Sequence, residues 1–282
     1  MNIYITGSNG FIGKALLKKL SDNIDNKITA LTSNKNLENF KNVNYKYINY
    51  DNMSNVDFQD CDLFIHLGSH SANHPYDSLA NCLKYNVDYF LTFFDKLVLN
   101  GVKKFIIAGS CFEYGLSCLN KDFIDFNTDL LPINSYPISK AILNIKLLEK
   151  VKKNNDIKLK ILRIFQCYGE GESESRLWPS LKRAAINGDN FKMTSGTQIR
   201  DFISVDEVVN HFINALSFSD YDNSPIISHV AHGEPKSLKQ FVNYWWNFYG
   251  AKGEVLYNSY PSRGLEIPRI VSNSSSILYG KK

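Results

Sequence analysis

Thr6-Gly7-Ser8-Asn9-Gly10-Phe11-Ile12-Gly13 lies between a short apolar run, 2–6, and a segment, 11–20, whose apolar residues recur with helical spacing. Strand, glycine turn and helix in that order make a phosphate-binding unit. Each glycine has its own task. Gly7 permits a tight turn, Gly10 lets the backbone approach a pyrophosphate, and Gly13 lets helix and strand pack closely. The helix then turns free N–H groups and the positive end of its dipole toward the phosphates. An ordinary glycine-rich turn would need neither the strand before it nor the helix after it.

Outward from that turn, apolar runs alternate with helical patterns. Further strands are expected over 27–31, 45–48, 62–67, 104–108 and 158–164, with long helices over about 77–100 and 135–154. This alternation gives βαβ units, hence an α/β fold with a doubly wound parallel sheet covered on both faces. After Phe165 the pattern loosens. The expected division is a nucleotide-binding domain over 1–165, to which 199–230 returns, and a small C-terminal substrate-binding lobe from 166–198 and 231–282.

Composition narrows the function classes. A net charge of +4, with acids and bases interspersed, does not indicate nucleic-acid or membrane binding but suits an anionic small molecule. The five cysteines, Cys61, Cys82, Cys111, Cys118 and Cys167, form no metal-binding spacing, so no metal is expected. Scattered thiols, no signal-peptide pattern and no long apolar stretch predict a cytoplasmic protein.

Tyr136 and Lys140 stand one helical turn apart in Ser135-Tyr136-Pro137-Ile138-Ser139-Lys140. That spacing puts them on one helix face. A lysine cation beside a phenol favours the phenolate, so the tyrosine is expected to titrate well below its usual range and to move a proton beside a hydride transfer. The loop after the second strand, Leu31-Thr32-Ser33-Asn34-Lys35, has no carboxylate to hold a ribose 2′-hydroxyl. Thr32, Ser33 and Lys35 instead favour a 2′-phosphate, hence NADP, with NAD the alternative. Asp51 either faces the adenine or caps the next segment.

Taken in order with Ser110, these features resemble the extended branch of the short-chain dehydrogenase/reductase superfamily, which acts on nucleotide-linked sugars and has a Rossmann-type fold. The resemblance rests on Thr6 to Gly13, on Asp62-Leu63-Phe64-Ile65-His66-Leu67-Gly68, and on Asn86 in the long helix. It rests also on Ala108-Gly109-Ser110-Cys111-Phe112-Glu113-Tyr114-Gly115, on Leu162-Arg163-Ile164-Phe165-Gln166-Cys167-Tyr168-Gly169, and on the Arg200-Asp201-Phe202 segment. It implies Ser110, Tyr136 and Lys140 as catalytic residues. It implies cofactor contacts at Gly7, Asn9, Gly10, Phe11, Ile12, Gly13, Leu67, Gly68, Asn86 and Lys140. Substrate contacts are expected at Cys111, Phe112, Gln166, Arg176, Arg200 and Arg263, the arginines suiting a diphosphate. Cys111 either lines the sugar pocket or simply packs, and Glu113 is expected to face solvent or a neighbouring loop.

Departures from the branch sharpen the expectation. Dehydratases of this kind carry an aspartate–glutamate pair directly after the catalytic hydroxyl, where this chain has Cys111-Phe112. Dehydration is therefore disfavoured. The favoured function is NADPH-dependent reduction of the C4 ketone of a nucleotide-linked 4-keto-6-deoxy sugar, serving bacterial surface-glycan synthesis such as lipopolysaccharide or capsule. The alternatives are a nucleotide-sugar epimerase with tightly bound NAD and a non-catalytic NADP-binding regulator. Tyr89, Phe90, Phe93 and Phe94 extend the apolar surface of the long helix, which in this branch often pairs across a two-fold axis, so a homodimer is expected.

Overall fold

The computed structural model describes residues 1–22, 26–33, 40–48, 58–218, 225–261 and 266–279. Runs of branched and aromatic residues build its principal strands: β1 (Asn2–Thr6), β2 (Lys27–Thr32), β3 (Val43–Tyr47), β4 (Leu63–His66), β5 (Lys104–Ser110) and β6 (Lys158–Ile164). The middles of β1, β4 and β5 are buried on both faces, as parallel strands must be when helices cover both sides. Joined by β10 (Ile226–Val230), the seven strands run in the order β10-β6-β5-β4-β1-β2-β3. Every pairing is parallel. Chain order reverses between β1 and β4, and a crevice opens there at the strands' carboxyl ends.

On one face α1 (Phe11–Ser21) and α6 (Val205–Ala215) bury Leu16, Leu17, Leu20, Val208 and Phe212 against the sheet. On the other, α3 (Tyr89–Leu99) and α4 (Ser135–Lys152) bury Phe90, Phe93, Phe94, Leu143 and Leu147. Each buried phenylalanine contributes roughly 1.5–3 kcal/mol. Phe90, Phe93 and Phe94 thus belong to the chain's own core, which removes most of the sequence argument for an intersubunit face.

The expected continuous helix over 77–100 is broken into α2 (Leu79–Leu83), a π-helical turn at Lys84–Asp88, and α3. The wide turn brings Asn86 inward. Its side chain accepts from the His70 N–H at 2.6 Å and donates to the His70 carbonyl at 3.1 Å and to Ser139 Oγ at 2.9 Å. Ser78 caps α2 by accepting from the Asn81 N–H.

The segments of the second half other than β6, α6 and β10 form a smaller lobe. β7 (Gln166–Tyr168), β9 (Ile199–Ser204), β11 (Pro235–Ser237) and β13 (Arg269–Ile270) make a second sheet with β9 at its centre. Helices α5 (Leu177–Asn187) and α7 (Leu238–Phe248) pack beside the two-stranded β8 (Phe191–Lys192) and β12 (Val255–Leu256). Aromatic rings hold this lobe together, with Phe202 stacked on Phe241 at 3.9 Å and Trp245 against Tyr168 and Trp178. The region after Pro261 contributes β13 and the buried Ser272. Among the described residues no helix is long and apolar enough to cross a membrane, and no cluster of three or more metal-ligating side chains occurs. All five cysteines are free thiols.

Candidate active site

The glycine turn has the shape its sequence requires. Gly7 sits at φ +72°, and a Cβ there would come within 2.4 Å of the Gly68 nitrogen. A Cβ on Gly13 would lie 2.1 Å from the Gly7 carbonyl oxygen. No larger residue fits either position without moving backbone. The first-turn N–H groups of α1, at Phe11 and Ile12, have no intrahelical partner, and no acid competes for them. Ser8 is buried beneath the turn with its hydroxyl unpartnered. An orphan hydroxyl, a cradle without Cβ atoms and a bare helix N-terminus together fit a dinucleotide's pyrophosphate. Gly171, in the loop after β7, has its open side 3.8 Å from the Phe11 ring, so that loop overhangs the turn.

At the end of β2 the Asn9 amide donates to Thr32 Oγ1 at 2.8 Å. Thr32 is buried and Ser33 exposed, so the turn and the ribose-binding position form one hydrogen-bonded unit. Lys35, Asp51 and Arg263 lie outside the described residues. Across the crevice, Thr6 Oγ1 and His66 Nδ1 lie 2.6 Å apart, and the His66 ring stacks on Phe90 at 3.5 Å. Burial and the nearby Lys140 charge hold His66 well below its ordinary value, as a neutral core histidine. Leu67 and Gly68 follow it, half-buried at the crevice edge. Asn86, expected at the cofactor, instead has its amide engaged by His70 and Ser139, and shapes the loop after β4.

Ser110 ends β5 and opens a 3-10 turn, Cys111–Tyr114. Its hydroxyl accepts from the Phe112 N–H at 3.2 Å and keeps its own proton to donate. Its N–H donates to Glu113 Oε1 at 2.7 Å, completing a capping box. Glu113 is thus not solvent-facing. It is fully buried, and the Arg163 guanidinium reaches it at 3.1 Å. Reading one residue along a helical turn could not reveal a partner on β6.

Helix α4 presents Tyr136, Ser139 and Lys140 in successive positions of its first turns. Tyr136 is half-buried, its ring stacked on Tyr76 at 5.6 Å, and its phenol is hydrogen-bonded by Ser69. Lys140 is 2% exposed. Burial pushes its ammonium down to about 8, with the Glu113 charge opposing. Burial pushes the Tyr136 phenol up, with the Ser69 hydrogen bond opposing and the Glu113 charge adding. The expectation of a depressed tyrosine is therefore reversed, because the enclosed site and the Glu113 charge penalise a phenolate more than the Ser69 hydrogen bond favours it. The arrangement holds a protonated phenol beside a lysine of tunable charge.

Two of the arginines expected at the substrate, Arg176 and Arg200, are among the described residues. Arg176 precedes α5 and donates to Glu172 at 3.1 Å. Arg200 on β9 is bound through the Ile199 carbonyl at 2.8 Å, and among the described residues it has no carboxylate within ion-pair distance. It keeps donors for an anion. Asp201 is buried and accepts from the N–H groups of His232, Gly233 and Ser272, so it bolts the small sheet to the chain's last segment. Cys111 packs with Tyr114, Cys118 and Phe165 under the site, while Phe112 and Gln166 are half-buried at its margin. Ser69, Tyr76 and Ser8 escaped the sequence reading, since a loop serine or tyrosine carries no spacing signal.

A model described as the NAD dependent epimerase/dehydratase family matches residues 3–230. The chain is 26% identical over 273 residues to dTDP-6-deoxy-L-talose 4-dehydrogenase (NAD(+)) of Aggregatibacter actinomycetemcomitans, covering 94% of this chain and 97% of that one. To CDP-abequose synthase of Salmonella typhimurium it is 26% identical over 291 residues, covering 98% and 90%. Among solved structures, MoeE5 in complex with UDP-glucuronic acid and NAD superposes with a TM-score of 0.85 at 19% identity, over 100% of this chain and 94% of the other. UDP-glucose 4-epimerase of Thermotoga maritima with UDP-glucose gives 0.84 at 22% identity, over 97% and 90%. These last two likenesses establish the fold.

Proposed function

The chain belongs to the NAD dependent epimerase/dehydratase family, and on that premise we propose that it reduces the C4 ketone of a nucleotide-linked 4-keto-6-deoxy sugar, using NADPH in preference to NADH. The observation that carries this reading is the turn after Ser110. Its only carboxylate, Glu113, is buried and engaged by Arg163 and Asn144, and Cys111 is buried as well. Nothing in that turn can shuttle protons at C5 and C6 as dehydration demands, and this reading gives proton transfer to Tyr136. Two relatives aligned over nearly their full length are named for a 4-dehydrogenase of a 6-deoxy sugar nucleotide and for a CDP-abequose synthase, in keeping with this chemistry.

In this reading the pyrophosphate rests on the Gly7–Gly13 turn, and the absence of a carboxylate at Thr32-Ser33 supports a 2′-phosphate. When bound, the nicotinamide supplies the hydride. Tyr136 donates its proton to the oxygen that becomes the C4 hydroxyl. Ser110 hydrogen-bonds the same oxygen and stabilises charge developing on it. Lys140 lends positive charge to the phenol as it loses its proton. Arg176 and Arg200 would take the nucleotide diphosphate. A phenol kept protonated by burial suits a donor poised for reduction.

The test is a panel of nucleotide-linked 4-keto-6-deoxy sugars with NADPH and with NADH, followed by loss of cofactor absorbance, with NMR assigning the C4 configuration. The expected result is net NADPH oxidation with at least one member. The reading fails if no member oxidises either cofactor. Dinucleotide that co-purifies stoichiometrically and is never net-consumed would favour a nucleotide-sugar epimerase.

A further inference from the structure

We propose that Glu113 is a positioning residue for the proton-transfer pair: it ties Ser110 to the helix bearing Tyr136 and Lys140, and sets a buried negative charge against that helix. The inference rests on the roles of Tyr136 and Lys140 given above. It deepens them by adding a carboxylate that touches no substrate.

Three elements meet at this one side chain. From β5, the Ser110 N–H donates to Oε1 at 2.7 Å. From α4, the Asn144 amide donates to Oε1 at 2.9 Å and Oε2 at 3.0 Å. From β6, Arg163 Nε donates to Oε2 at 3.1 Å. The Asn144 carbonyl oxygen is buried without a partner, so Glu113 alone orients that amide. Asn144 lies one turn beyond Lys140 on the same helix, so Glu113 fixes the turn that carries the lysine. Gly109 makes room for the cluster. A Cβ there would stand 2.9 Å from Glu113 Oε1, 3.0 Å from Arg163 Cγ and 3.2 Å from Asn144 Nδ2.

The network continues beyond Arg163 with a single sense of donation. Arg163 Nη1 donates to the Tyr114 hydroxyl at 2.7 Å, and that hydroxyl lies 2.5 Å from His229 Nε2. His229 Nδ1 lies 2.8 Å from Ser272 Oγ, whose proton goes to the Asn273 carbonyl. Ser272 must therefore accept from His229, and His229 from Tyr114, which defines a neutral histidine protonated at Nδ1. Among the described residues Glu113 is the one carboxylate that pairs with Arg163.

Among the described residues the charges acting between Lys140 and its surroundings involve Glu113 from the turn after β5 and His66 from the end of β4, and Tyr136 stands one turn earlier on α4. Of these, Glu113 alone favours the ammonium, and it also disfavours the phenolate of Tyr136. Removing its charge therefore lowers the titration of both groups.

The test reads Lys140 directly, in cofactor-free protein. With isotope-labelled lysine, the Cε resonance that disappears in Lys140→Met reports its titration. The wild-type midpoint is expected near 8. In Glu113→Gln it should fall by about one unit or more. In Glu113→Gln/Asn144→Glu, which returns a carboxylate from the opposite element, it should recover. Should Glu113→Gln leave Arg163 too exposed to fold, Glu113→Gln/Arg163→Met removes both charges and should still lower the midpoint. An unchanged midpoint in either folded variant overturns the proposal. In turnover, the pH limb of the Tyr136–Lys140 pair should move to lower pH, whereas a merely structural role would lower the rate without moving the limb. A wild type inactive on every sugar would remove the functional reading and leave the titration intact.

Discussion

The glycine turn over 6–13 and the charge cluster around Glu113 follow β1 and β5, with β4 between them, yet they are built by opposite means. The turn works by what it lacks. Without Cβ atoms at Gly7 and Gly13, backbone can approach backbone, and N–H groups stay free for an anion. The cluster works by what it holds, a buried carboxylate and guanidinium hydrogen-bonded to β5, α4 and the Tyr114 hydroxyl. Steric permission is local and tolerates no substitution. Charge compensation is distributed, and tolerates relocation provided the sum is kept.

Three variants break this contrast, in decreasing size of effect. Tyr136→Phe removes the proton donor and leaves the turn untouched. Its kcat should fall by ~100–10,000-fold while dinucleotide affinity stays within a few-fold. A matching loss of affinity, measured by fluorescence titration, would mean that the two regions are not separable. Gly13→Ala attacks the turn alone. The new methyl meets the Gly7 carbonyl, and the strain should cost roughly 1–3 kcal/mol of stability and weaken dinucleotide binding. Chemical denaturation and the same titration check both. An alanine variant with unaltered stability and affinity would contradict the close packing.

The smallest effect is on pH dependence and belongs to the cluster. Burial and the Arg163 charge hold His229 down to about 3, from an ordinary 6.5. Between those values the unfolded chain binds a proton that the folded chain refuses. Stability is therefore unaffected by this group above pH 6.5 and declines as pH falls toward 3. At pH 6, half a unit below the ordinary value, the loss is still under about 1 kcal/mol. Melting temperatures across it should show the decline, and His229→Gln should flatten it. A decline of equal slope in His229→Gln would assign it to other groups.

The same contrast explains what was legible in the sequence. The turn could be read because its whole specification lies within eight consecutive residues, Thr6 to Gly13. The parallel sheet followed from periodicity, since strands buried on both faces are continuous apolar runs. Glu113 was misread because its partners stand 31 and 50 positions away, at Asn144 and Arg163. The π turn at Lys84–Asp88 was invisible because it adds one residue without disturbing the apolar stripe. The Tyr136 titration was misjudged because spacing reveals a neighbour's charge but not the loss of water around both groups.

Ser272 joins two buried sites described apart. The acceptor that fixes the His229 ring, and the N–H that completes the Asp201 bracket, both come from this one residue. It is itself fully buried, so no water can replace either bond without a rearrangement. A single change at Ser272 therefore unsettles the wall of the Arg163 cluster and the seam of the second sheet together.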